Sequence, residues 1–223
     1  MIEFTAEGAY ANAALSRLEQ EAVEWLDGFY QLEHLLCTRM WAMKLSPEAS
    51  AEVKFASLVH DAERFFPGGP PSTPWNGFDD PDYLFAHSTR SADIVEEWLR
   101  ARTPAPEEDF IRRVRYLILR HEIGGDWEAD IVQAADSLSF LESLDWIPVD
   151  WVRNGHYTIA RAREKLDYSV ERIRPSNAIA AALPFYERAV RVLDATHEID
   201  VDLKKRREIA GSRLYLLGLG EGV

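Results

Sequence analysis

His34, the doublet His60-Asp61, His87, His121 and Asp136 follow one another through the chain, all of them imidazoles or carboxylates. These are the ligand types that a borderline first-row divalent metal takes, and the doublet puts one of each on adjacent residues. Asp136 lies in AADSLSFLE, where a carboxylate interrupts an apolar stretch. Burying an unpaired charge there is expensive. His60-Asp61 follows Ala56, Leu58 and Val59 and poses the same difficulty. A lone histidine on an apolar helix face, such as His34 in EHLLCTRMW, is more often a hydrogen-bonded core residue than a ligand. The set, rather than any single member, points to metal ligation.

Other polar residues lie close to this set. Arg64 comes three residues after Asp61 and four after His60, so on a helix it shares their face. Its planar fork suits two phosphate oxygens. The plainer alternative is a surface ion pair with Glu63 or Glu97, which would be worth little. Arg90, three residues beyond His87, is a second candidate phosphate contact, while Arg39 and Arg120 read as solvated. Glu122, beside His121, could orient an imidazole or act on a proton, or could simply be exposed. His156 and His197 stand apart from the pattern as surface or helix-end residues.

The elements that must position these groups are helices. Leu15, Leu18, Ala22 and Leu26 recur at three- and four-residue steps and predict a helix over 11–27. A second helix, 29–45, carries His34. Ser46-Pro47-Glu48 reads as a helix start, and the helix is expected to run through His60-Asp61 to Phe66. Residues 67–82, with five prolines and three glycines, allow no continuous element. A loop of this length in a compact domain is usually functional or disordered. Its Trp75 and Phe78 could cover an apolar part of a substrate such as a nucleobase, but plugging the domain's own surface is the favoured reading. Further helices are expected at 82–101, 105–121, 127–143, 149–173 and 176–209, the last kinked at Pro184. No segment alternates apolar and polar residues as a half-buried strand does, so the fold class is all-α.

Composition sets the outer bounds. The chain has 223 residues, 47% of them hydrophobic and 28% charged, enough for a central core in an ordinary globular fold. A net charge of -13 argues against a nucleic-acid polymer as partner, since that needs a basic stripe. It leaves room for a small phosphorylated molecule held by local arginines or metals. Cys37 is the only cysteine, which excludes an internal disulfide, and its apolar neighbours make it a buried small hydrophobe. No apolar stretch approaches the ~20 residues that span a bilayer, and MIEFTAEGAY lacks a basic-then-apolar pattern. The expectation is a cytoplasmic protein without a membrane anchor.

The pattern H…HD…H…H…D resembles the HD-domain superfamily of metal-dependent phosphohydrolases. The resemblance covers residues 30 to about 143 and reaches beyond the ligands. LVHDAERF is similar to the family's apolar-HD-x-x-basic helix, FAHSTRSADIVEEWL to its His-Ser helix, and IVQAADSLSFLE to its closing Ala-Asp helix. It implies an all-helical bundle with the site between core helices. His60 and Asp61, about 100° apart on a helix, would share one ion with His34 and Asp136. Asp61 would bridge to a second ion held by His87 and His121, the alternative being that these two histidines contact substrate directly. Six such ligands go with two metals in the family, four with one. Mn, Fe, Co, Ni and Zn all suit such donors. Members often carry Lys where Arg64 stands.

The domain reading is an N-terminal helix over 1–28 on the core, an HD domain over 29–145, and a C-terminal helical extension over 146–223. Within the extension, RAREKLDYSVERI puts Arg161, Lys165 and Arg172 in one helical run, either a phosphate-facing side or, the favoured reading, a solvated face. AIAAALPFYERAVRVL is apolar enough to pack on the bundle or to join subunits of a homo-oligomer. The function implied is hydrolysis of a small phosphorylated molecule, plausibly a nucleotide, with Asp61 and Arg64 as catalytic residues. Two alternatives stand beside it: an HD-type di-iron oxygenase, and a metal- or nucleotide-binding regulatory domain without turnover.

Overall fold

The computed structural model describes residues 15–71, 74 and 76–198. Among them are nine α-helices and no strand: α1 (Arg17–Trp25), α2 (Leu32–Leu45), α3 (Ala51–Val59), α4 (Pro81–Arg100), α5 (Glu108–Arg120), α6 (Trp127–Ser143), α7 (Trp146–Arg153), α8 (Ile159–Glu171) and α9 (Ser176–Asp194). A 3₁₀ turn, Ala62–Phe65, lies between α3 and α4. The protein is all-α, and no described helix is long and apolar enough to cross a membrane.

Local chemistry fixes most helix starts. Ser16 and Glu19 form a reciprocal capping box on α1, with the Glu19 carboxylate accepting from Ser16 N at 2.7 Å. Asp80 caps α4 just before Pro81, and Asp126 and Thr158 cap α6 and α8. Helix α6 is the centre of the bundle. Its apolar residues run all round rather than along one stripe, which requires neighbours on every side. Helices α2, α3, α5, α8 and α9 supply them. Buried apolar side chains from Ala22 in α1 to Leu193 in α9 belong to one continuous core. Cys37 is fully buried within the bundle, its thiol 3.4 Å from Glu142 Oε2.

The structure corrects several expected boundaries. Ser46 ends α2 rather than starting α3; the cap is Ser50, whose hydroxyl accepts from Val53 N at 3.2 Å. Helix α3 stops at Val59, and the chain passes His60-Asp61 as a turn before tightening into the 3₁₀ segment. The expected 149–173 helix is two helices, because Asn154-Gly155 breaks it. Gly155 sits at φ +68°, a conformation that a side chain disfavours, and Thr158 then caps α8. The α5–α6 turn uses Gly124 at φ +63° in the same way, its N–H closing on Arg120 O at 2.7 Å. Helix α9 continues through Pro184 but ends at Asp194, short of the expected 209; residues 195–198 are not helical, and 199–209 lie outside the described residues, as do residues 11–14 of the first helix.

The two serines can be told apart by mutation. Ser50→Ala removes a side-chain cap and should cost about 1 kcal/mol in denaturant or thermal unfolding. Ser46→Ala should leave stability within about 0.5 kcal/mol. Equal effects, or the reverse order, would place the start of α3 wrongly.

Candidate metal centre

The bundle brings all six expected ligands together. His34 and His87 lie within α2 and α4, and Asp136 lies in the middle of α6. His60 and His121 are the residues just past the ends of α3 and α5. A helix end leaves its last carbonyls without N–H partners, and these two histidines fill one each. His60 Nδ1 lies 3.0 Å from Ser57 O, and His121 Nδ1 lies 2.7 Å from Ile118 O. The other two imidazoles are anchored by side chains. His87 Nδ1 is 2.7 Å from Glu63 Oε1. His34 Nδ1 is 2.8 Å from Ser139 Oγ, whose own proton goes to the His34 carbonyl at 2.7 Å, so the hydroxyl must accept from the ring.

These four anchors decide the tautomers. A neutral imidazole has one N–H, and each ring spends it outward from Nδ1, leaving a lone pair on Nε2. All four Nε2 atoms then meet one another and two carboxylates. Asp136 Oδ1 lies 3.2 Å from both His34 Nε2 and His60 Nε2. Asp61 Oδ1 lies 2.8 Å from His87 Nε2, 3.7 Å from His121 Nε2 and 3.8 Å from His60 Nε2. Lone pairs facing carboxylate oxygens repel unless a metal ion or a proton lies between them. Metal bonds of about 2.0–2.2 Å put neighbouring donors ~3 Å apart, close to these separations.

Three overlapping donor groups result: His34, His60 and Asp61; His60, His121 and Asp136; and Asp61, His87 and His121. Buried His/Asp groups that could hold a metal ion are therefore present. His121 Nε2 is the clearest sign of fit. It is buried and has no hydrogen-bond partner among the described residues. Burial, reinforced by the neighbouring His60 and His87, pushes this imidazole down to about 4 despite Glu122, so it stays neutral with its lone pair free. At His60, burial opposes protonation, but Asp61 and Asp136 outweigh it and push the ring up to about 9. That opposition marks a pocket of negative potential that attracts positive charge. Burial alone would raise Asp61, yet His60 and His87 hold it well below the usual carboxylate range.

The donors open onto a cavity of about 230 Å³. Arg64 lines it, but not by sharing an α-helical face with the doublet: it stands in the 3₁₀ turn, its N–H bonded to Asp61 O at 3.0 Å. The ion pair with Glu63 exists at 3.2 Å, but the carboxylate is 1% exposed, so it is no surface bridge. Nη1 donates to Pro70 O at 2.8 Å and Nη2 to Tyr83 Oη at 2.5 Å. With five N–H groups, the guanidinium keeps one on each Nη beyond those contacts. Arg90 does not line the cavity; it donates to Pro67 O and lies 3.6 Å from Glu63, behind His87. Arg39 is buried against Glu19, away from the site.

The expected solvated face on α8 is overturned. Arg172 is 6% exposed at its side chain; it donates to Asp136 Oδ2 at 2.5 Å and Ser137 Oγ at 2.7 Å, and it binds Glu122 Oε2. It thereby turns Asp136 Oδ1 towards the histidines. Glu122 is buried too, its Oε1 3.7 Å from His121 Nε2. Burial would raise its carboxyl, but Arg172 and His121 hold it down, so it is ionised. Lys165 also lines the cavity. The alternation RAREKLDYSVER left both an inward and a solvated side open, because only the packing of α8 on α6 shows which face is inward. Phe78 stacks on Trp151 with centroids 5.8 Å apart and is buried, plugging the protein's own surface; Trp75 lies outside the described residues. His197 is exposed and His156 half-buried in the α7–α8 turn, both outside the cluster.

No protein-family model matches the chain, and no curated protein or solved structure matches it significantly. The geometry stands on its own.

Asp61 is charged and its Oδ1 faces three of the four Nε2 atoms, so Asp61→Ala should lose more metal than any single histidine-to-alanine change, measured by elemental analysis of protein purified without chelator. Stripping the metal should also lower the melting temperature, because the facing lone pairs and carboxylates lose their counter-charge. Wild-type metal content in Asp61→Ala, or identical melting of the stripped and loaded forms, would dismantle the centre.

Proposed function

We propose that this chain is a divalent-metal-dependent phosphohydrolase of the HD-domain type, acting on a small phosphorylated molecule. The observation that carries the reading is the convergence of four outward-anchored imidazoles on Asp61 and Asp136 at a cavity lined by cations. The sequence resemblance implies the same six residues in the same order. His34, His60, Asp61 and Asp136 would hold one ion, and Asp61, His87 and His121 a second, from the group Mn, Fe, Co, Ni and Zn. Divalent ions at such a site supply Lewis acidity, activating water and neutralising charge on phosphoryl oxygens.

The chain's own groups do the rest. The cavity carries four carboxylates, Asp61, Glu122, Asp136 and Asp150, against three cations, Arg64, Lys165 and Arg172. Without metal it repels anions, and bound divalent charge reverses that balance. Arg64, fixed by Pro70, Tyr83 and Glu63, presents its remaining N–H pair without further loss of freedom, a ready fork for two phosphate oxygens. Glu122 Oε1, ionised beside His121, is placed to take a proton from water arriving there. Arg172 keeps Glu122 and Asp136 in position.

The test is a panel of nucleotide mono-, di- and triphosphates and sugar phosphates with Mn, Co, Ni or Mg, followed by phosphate release. Arg64→Ala should keep its metal, since a cation is not a ligand, yet turn over about 10²–10³ more slowly. Arg64→Lys should recover part of the rate, because charge survives while the fork does not. Undiminished turnover in Arg64→Ala would remove Arg64 from the chemistry. No hydrolysis on any metal, with oxygen consumed by the iron-loaded protein, would replace the hydrolase with the oxygenase.

A further inference from the structure

Of the three cations that line the cavity, Arg172 is spent on Asp136 and Glu122. Arg64 is partly committed, to Glu63, Tyr83 and Pro70 for three of its five N–H groups, and keeps one on each Nη. Lys165 is different. Its ammonium lies 4.9 Å from the ring centroid of Phe140, 5.4 Å from Tyr168 and 5.8 Å from Phe78. It forms no ion pair or hydrogen bond among the described residues. An ammonium surrounded by ring faces retains cation–π attraction, but its three N–H donors are left without acceptors. Burial accordingly pulls the amine below its ordinary value, although Glu122 opposes this.

Much of the remaining wall is apolar. Leu144, Trp146, Ile147 and Trp151, from the end of α6 and from α7, line the cavity, with Gln31 and Asp150 as polar exceptions. The volume, about 230 Å³, falls below the ~300–1,000 Å³ of pockets that take drug-sized ligands. A polar floor, one uncommitted cation and an apolar wall in a small space suit a compact amphiphile.

We infer that Lys165 joins Arg64 in gripping the anionic group of the substrate, and that the substrate is a compact organic phosphate whose carbon part lies against Leu144, Trp146, Ile147 and Trp151. This rests on the phosphohydrolase reading and adds to it a recognition residue on α8, outside the segment that resembles the HD family. Lys165 donates to the phosphate oxygens, and the apolar wall selects for a hydrocarbon or aromatic ester over a polyanionic nucleoside triphosphate.

Binding can be measured without turnover. Orthophosphate and phenylphosphonate, which has no ester bond to hydrolyse, would be titrated calorimetrically into manganese-loaded protein. Wild type should bind both, and phenylphosphonate more tightly. Lys165→Met and Lys165→Gln should each keep their metal content and melting temperature but bind both anions about 10–100-fold more weakly, the loss of one charge-assisted hydrogen bond. Lys165→Arg should retain most of the affinity. Trp146→Ala should weaken phenylphosphonate and leave orthophosphate unchanged. Wild-type affinity in both Lys165→Met and Lys165→Gln overturns the role of Lys165. Equal affinity of wild type for the two anions overturns the substrate class. Wild type that binds neither anion overturns the phosphohydrolase reading, and this inference with it.

Discussion

Each of the four clustered imidazoles gives its single neutral-form N–H to an acceptor outside the cluster, and much of the architecture follows from that constraint. Once Nδ1 is tied to a helix-end carbonyl, a serine hydroxyl or Glu63, the Nε2 lone pairs have to face inward. The two carboxylates they meet bring further negative charge. An interior of this composition is costly unless a cation completes it, whereas a core of the same volume filled with leucine would need none. The cluster is thus a local conflict within an otherwise consistent apolar bundle, and such conflicts gather at functional sites.

The supporting groups are arranged to hold that conflict in place. Helix ends serve twice: α3 and α5 stop where a histidine can satisfy the last-turn carbonyl and still point its other nitrogen into the cluster. Ser139, one turn along α6 from Asp136, anchors His34 from behind, so a single helix supplies both a carboxylate and the group that orients its partner. Glu63 links His87 to Arg64 and lies near Arg90, joining the imidazole shell to the cavity wall.

The C-terminal helices are part of the same centre. Helix α8 places Arg172 on Asp136 and Glu122 and sets Lys165 in the cavity, and α7 supplies Trp146, Ile147 and Trp151 to its side. The ligand set lies between residues 34 and 136, but the walls that would choose a substrate come largely from residues beyond 143. The candidate donors and much of the cavity wall therefore come from different stretches of the chain, joined through the face that α6 shares with α8.

The all-α class was legible from the 3.6-residue periodicity, since amphipathic spacing is a local property that survives packing. The six candidate ligands were legible as well, because a carboxylate such as Asp136 inside an apolar run contradicts its surroundings. Helix ends were less so: Ser46 and Ser50 offer the same hydroxyl, and only the packed chain showed that Ser50 caps α3. The placement of Arg172 and Lys165 was left open, with the solvated face favoured, because alternating charges on a helix look the same whether they face water or a buried carboxylate. Which face of α8 turns inward is decided by its contact with α6, a relation between segments far apart in sequence. Residue types and spacing thus determined what chemistry the chain can hold, while the tertiary structure alone decided which nitrogens face the cluster and which cation remains uncommitted.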